Sequence, residues 1–404
     1  MSTEDEPDYC GVPTMECRVC RIDVPAGEYC GLCGVPHTKH RGDGPDWLRM
    51  TAFGAAPGEH LLQPSLASSL FPHLPPRSRT VFRVGLAVVF VALVAFALLR
   101  MPGALVTVEA LGFPFLFVLY LVESDGFRDI PTPMWVLTAA LGVGLGVGWV
   151  LLTGMMVARS YGIELGADVG GARMVRTGIA IPLGGVILML MPALIVRLLR
   201  PPTREALDGF MVGTLGALSF TAAATLARLA PQFVTGVVSK RPMDSLLVEA
   251  GIRGVAVPLT AAAAGGLIGA ALWFTRPPSK EKQHPGVVRA LLVFFAVAVL
   301  VVYVGLGLID VAHFPQVLML VLYLLLAAVA LFLLRVGLQL ALLHEAHDEI
   351  QSDEPLLCPH CGHVVPDMAF CPACGVATRA SSRSSRTSRR DTRPVRTTQE
   401  SDGS

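Results

Sequence analysis

Eight of the nine cysteines in the chain fall into two sets with one spacing. Cys17, Cys20, Cys30 and Cys33 read C-x2-C-x9-C-x2-C, and Cys358, Cys361, Cys371 and Cys374 repeat it. Two close pairs of thiolates suit the tetrahedral preference of Zn²⁺, with each sulfur about 2.3 Å from the ion. Glycines after Cys33, Cys361 and Cys374 suit the tight turns that aim backbone amides at sulfur. A disulfide framework is the competing reading, but it belongs to secreted chains. Around the first set, Cys10, His37 and His40 offer substitute ligands, and Cys10 reads most simply as a spare thiol.

Four thiolates leave no open position for water or substrate, so two structural zinc ions are expected. A module of about 25 residues buries too little apolar surface to fold unaided, and metal binding supplies the difference. Both sets resemble small double-knuckle zinc ribbons, over Cys17–Gly34 and Cys358–Gly375. Such ribbons commonly bind protein or nucleic acid, so the resemblance names no partner; protein partners at the ribbons are the expectation, and nucleic acid is not. Sulfur-bound zinc also implies a reducing compartment, hence cytosolic termini.

Between the ribbons the chain reads as membrane. Of its 404 residues, 53% are hydrophobic and only 16% charged, with a mean hydropathy of +0.59. Eight apolar runs cover approximately 82–100, 103–122, 134–157, 177–197, 206–230, 250–274, 287–309 and 315–343. Each approaches or exceeds the roughly 20 residues that cross about 30 Å of hydrocarbon. An even count agrees with two termini on one side. Arg77, Arg79 and Arg83, then Arg197, Arg200 and Arg204, then Arg276, Lys280, Lys282 and Arg289 flank the cytosolic ends. Arg228, Lys240, Arg241 and Arg253 run against the rule, since they flank a connection that would face outside. No basic, apolar start marks a cleavable signal.

The expected architecture is therefore an all-α polytopic membrane protein of about eight transmembrane helices, with a zinc ribbon at each cytosolic terminus. Its parts are a ribbon at 1–40, a Pro-rich linker at 41–80, a bundle at 81–343, a juxtamembrane helix at 344–357, a ribbon at 358–376 and a disordered tail at 377–404. Leu66, Leu70 and Phe71 in the linker suit contact with lipid. The last 26 residues carry seven arginines, which could meet anionic headgroups as well as stay solvated. The plasma membrane, with the lipid bilayer as partner, is the expected location.

Ionisable groups inside spans are costly and so invite a functional reading. Glu109 is the carboxylate deepest in a run, Asp208 opens the fifth run, and Asp310 and His313 sit between the seventh and eighth. Arg197 and Arg335 suit snorkelling to headgroups. His344 and His347 lie three apart, one residue short of the spacing that a helical His-Glu-x-x-His zinc site needs. Gly142/Gly146, Gly144/Gly148 and Gly265/Gly269 suit close helix packing.

Ile181–Leu226, with its proline-led span, basic connection and "ALDGFMVGTLGALSF" (Ala206–Phe220), resembles the centre of the PrsW family of intramembrane metalloproteases. "GVAVPLTAAAAGGLIGAALW" (Gly254–Trp273) resembles that family's last core helix, so the likeness spans about 179–273. It implies a shared scaffold. The family's EExxK motif, however, would fall on Gly184, Gly185 and Leu188, its next glutamate on Ala224, and its histidine near Ala256 to Pro258. Hydrolysis needs a water activated by metal or acid, and these positions offer neither. The favoured reading is a non-catalytic PrsW-like pseudoenzyme that acts as a scaffold or as a binding or regulatory protein. The alternatives are a protease with atypical ligands such as Glu109, Asp310 and His313, and a transporter.

Overall fold

A computed structural model describes residues 13–38, 65–124 except 75, 126–160, 176–234 except 202–203, 242–275, 285–345 except 313, and 355–378 except 359. A few positions within 53–61 and at 386–387 are also described. Cys10, His40, His313 and His347, most of the expected juxtamembrane helix and most of the expected tail lie outside this set. The chain divides into two compact units, Pro64–Ala346 and the two flanks together, Met1–Gln63 with His347–Ser404.

The first unit is helical. Eight helices in it are long and apolar enough to cross a membrane: span 1 Ser78–Leu98, span 2 Pro102–Glu123, span 3 Thr132–Met156, span 4 Gly178–Leu198, span 5 Ala206–Ala230, span 6 Met243–Trp273, span 7 Gly286–Val311 and span 8 Gln316–Leu342. Spans 5 and 6 form the centre, with 78% and 72% of their apolar windows buried, against 17–50% for the others. Glycines explain how these two come so close. Gly209 and Gly213 lie against the backbone of Gly269 and Gly265, where any Cβ would overlap the facing chain. Span 3 joins the centre the same way: a Cβ at Gly142 would stand 2.8 Å from the Gly216 carbonyl, and one at Gly146 2.5 Å from that of Phe220. Gly144 and Gly148 face open space instead, so that part of the expected packing stripe makes no helix contact.

Three details differ from expectation. Span 6 starts at Met243 rather than near 250, because Asp244 and Glu249 dilute the hydropathy of a helix that continues through a π-helical turn at Ile252–Ala256. Leu70 and Phe71 are buried by protein, not spread on lipid. Phe71 stacks among Phe82, Phe117 and Tyr120, and the Tyr120 hydroxyl donates to the Pro72 carbonyl at 3.1 Å. Arg335 does not snorkel. It is fully buried and donates to the hydroxyls of Ser68 (2.9 Å) and Ser69 (3.3 Å) on the short helix Leu66–Leu70. A partnered guanidinium inside the bundle avoids the cost of an unpaired buried charge.

The flanking unit holds two small ribbons of one design. Strands β1 (Thr14–Glu16) and β2 (Asp23–Pro25) pair antiparallel, and β3 (Pro355–Leu357) pairs with β4 (Val364–Pro366) in the same register. Every element of the second ribbon sits 341 positions after its counterpart. The two ribbons also join each other. The Tyr29 N–H donates to the Pro372 carbonyl at 2.9 Å, and the Phe370 N–H donates to the Gly31 carbonyl at 2.8 Å. These four residues are equivalent in pairs, so the ribbons form an internal pseudo-twofold. Gly34 lies against the Phe370 ring and Gly375 against the Tyr29 ring, completing the symmetry. Residues 13–38 and 355–378 are thus joined directly, although 316 residues separate them in the chain.

Candidate metal centres and a cavity in the bundle

Each cysteine pair sits in a knuckle built by the backbone. Arg21, Gly34, Gly362 and Gly375 donate N–H to the carbonyls of Cys17, Cys30, Cys358 and Cys371 at 2.8–2.9 Å. All four donors take a left-handed φ, between +57° and +72°. Glycine adopts this at no steric cost, whereas Arg21 carries strain of about 1 kcal/mol. Sequence reasoning placed the three glycines but had no signal for Arg21.

The knuckles bring the sulfurs together. Cys17 and Cys33 stand 3.7 Å apart and Cys20 and Cys30 3.6 Å; in the second ribbon Cys358 and Cys374 stand 3.8 Å apart and Cys361 and Cys371 3.9 Å. A tetrahedron with sulfur about 2.3 Å from its centre has edges of about 3.8 Å. None of the eight is in a disulfide. All four sulfurs of each set lie within 4.8 Å of one another, so each set could hold a metal ion. His37 is not drawn into the first set. Among the described residues, no other group of three or more Cys, His, Asp or Glu side chains could do so.

Proton sharing shows why a cation fits. Hydrogen bonding from Cys33, then from neighbouring amides and Cys17, holds the Cys30 thiol down at about 5 despite burial. Burial and the hydrogen bond to Cys17 push Cys20 up to about 12. In the second ribbon, bonds from Cys371 and Cys374 lower Cys358, and those same bonds to Cys358 raise Cys371 and Cys374. A doubly charged ion offsets the mutual repulsion of thiolates gathered this closely.

The bundle contains a cavity of about 660 Å³. It lies where spans 5 and 7 finish and spans 4, 6 and 8 begin, the end of the bundle opposite Ser78 and Leu342. Gly185, Ala224 and Val257, three positions singled out by the resemblance to PrsW proteases, all line it. Beside Gly185, the Trp149 indole occupies the room that side chains there would need: a Cβ at Gly184 would stand 2.5 Å from the ring, and one at Gly185 3.0 Å from its Nε1. The cavity's ionisable lining comprises Arg228, Glu249, Arg253, Tyr303, Asp310 and Tyr323. Arg253 pairs with Glu249 at 3.0 Å, and the Tyr323 hydroxyl donates to Asp310 at 2.6 Å. Glu109 is buried against Gly254 on span 6 and is not part of the lining that holds Asp310.

A further carboxylate, missed in the sequence because it lies inside the His344–His347 stretch, does structural work. Glu345 accepts the Ala206 N–H at the start of span 5 through both oxygens at 2.9 Å, and Thr275 approaches it at 3.4 Å. It closes an otherwise orphaned helix end. No protein-family model, curated protein or solved structure matches the chain.

Proposed function

We propose that this is a non-catalytic, PrsW-like integral membrane protein in which zinc braces two ribbons into a single cytosolic module. The bundle serves as a scaffold that holds a membrane-embedded client, and the ribbon pair recruits protein to it at the plasma membrane. The observation that carries the reading is the state of the cavity. The positions where the resemblance implies a metalloprotease's groups are Gly184, Gly185, Leu188, Ala224 and the stretch Ala256 to Pro258, all without a metal ligand, and Trp149 packs into the space a glutamate pair would need. Its Arg, Glu, Tyr and Asp lining is tied up in two internal pairs apart from Arg228 and Tyr303. Closed four-sulfur groups have no coordination position left for water.

Incubating the purified full chain with a hydrophobic transmembrane peptide, with and without chelator, tests the reading. Intact peptide under both conditions is expected. Chelator-sensitive cleavage that survives replacement of all eight cysteines would establish the protease alternative instead. Reporters active only outside the cytosol, fused at either end, are expected to be silent.

A further inference from the structure

The cavity holds a cation whose charge nothing in the bundle fully answers. No hydrogen bond or ion pair joins Arg228 to any described residue. Protein crowds its guanidinium, yet the residue as a whole is exposed, so its head sits at an open mouth of the cavity within reach of an incoming ligand. Its electrostatic neighbours are Arg253, Tyr303, Asp310 and Tyr323, one of them a like charge. An arginine at this depth of a membrane-spanning helix, with no partner of its own, is a natural contact for an anion. Arg228 and Arg253 are also two of the four cations that break the expected charge bias of the connections, so cavity chemistry rather than topology accounts for them.

We propose that the cavity binds the phosphodiester headgroup of a membrane lipid, with Arg228 as its principal contact. Guanidinium is the group best matched to two phosphate oxygens. Depth agrees: Arg228 is two residues from the end of span 5 and Asp310 one from the end of span 7, where headgroups lie. Size and lining favour a lipid over free phosphate. A volume of about 660 Å³ far exceeds one phosphate, and Trp149, Ile181, Phe220 and Met319 provide apolar wall for acyl chain. Charge favours a diester. Arg228 and Arg253 against Glu249 and Asp310 sum to zero, which suits a single negative charge better than the two of a monoester. Both π-helical turns, Arg176–Ala180 and Ile252–Ala256, abut this end of the bundle, and such turns recur at functional sites.

The inference rests on the bundle being a binding core rather than a hydrolytic one. Native mass spectrometry of the detergent-purified full chain tests it, titrating phosphatidylglycerol, phosphatidylethanolamine, diacylglycerol of the same chains, and inorganic phosphate. One tightly held phosphodiester lipid per chain is expected, at least tenfold preferred over diacylglycerol and not displaced by millimolar phosphate. Arg228→Gln should reduce that preference about tenfold, Arg228→Lys less, and Arg289→Gln not at all. Equal retention of diacylglycerol, displacement by phosphate, or an unchanged Arg228→Gln protein overturns the proposal. The lipid comparison on the unaltered chain stands even if the variants fail to fold. Peptide cleavage would instead overturn the functional reading, so the two failures are separable.

Discussion

Burial pushes the carboxyl of Glu345 up to about 8 from an ordinary value of 4.5, with the nearby charges of Glu205 and Asp208 adding to the rise and the N–H bonds from Ala206 and Thr275 opposing it. A raised folded value means the protonated form is favoured by folding. Its stabilising contribution is complete below pH 4.5 and is lost as pH climbs through 8. The bundle's thermal midpoint in detergent should therefore fall across that window, and Glu345→Gln should flatten the dependence. A Gln variant with the same slope would exclude Glu345 as its source. Arg21 makes a second residue-scale case. Its left-handed knuckle matches that of Gly362, so Arg21→Gly should tighten metal retention in the first ribbon by up to about 1 kcal/mol, read by chelator competition. Metal retention weaker than in the parent chain would contradict this.

Glycine contacts set how helices and ribbons meet, and comparisons between glycines separate packing from backbone strain. Gly362 and Gly375 share a φ near +71°, but a Cβ meets nothing at Gly362 and meets the Tyr29 ring at 2.7 Å at Gly375. Both alanine variants should lose about 1 kcal/mol from the turn, and Gly375→Ala roughly 1–3 kcal/mol more from overpacking. Equal losses would mean the ribbons do not pack through that ring. In the bundle, Gly213→Val should prevent spans 5 and 6 from closing, while Gly144→Ala, facing open space, should be neutral within about 0.5 kcal/mol. The spans were readable because 20 apolar residues have few other uses, and the cysteine sets because metal geometry fixes their spacing. The start of span 6 was not readable, since Asp244 and Glu249, the latter lining the cavity, interrupt the hydropathy signal. Arg335 misled for a related reason. Snorkelling is the default for a lone arginine, and its serine partners lie 266–267 positions away.

For the whole molecule, the two flanks behave as one object separated by the bundle in sequence only. The constant offset of 341 positions and an aromatic residue before each third cysteine, Tyr29 and Phe370, were visible in the sequence. The reciprocal N–H bonds that use them were not, because they depend on bringing distant segments together. The cavity was hidden likewise: Arg228, Arg253, Asp310 and Tyr323 come from four spans, and nothing in the spacing of one span points to the others. Joined ribbons should share their stability. Replacing Cys358 and Cys361 by serine should loosen the metal held by Cys17, Cys20, Cys30 and Cys33 by up to about thirtyfold in chelator competition, since two shared backbone bonds at about 1 kcal/mol each are lost. Unchanged affinity would show two independent ribbons.

Metal content of the purified chain tests most directly whether the metal braces the ribbons and the bundle is without any. The account predicts about two zinc ions per chain, and none when all eight paired cysteines are serine. An ion that stays bound to the eightfold variant would contradict it.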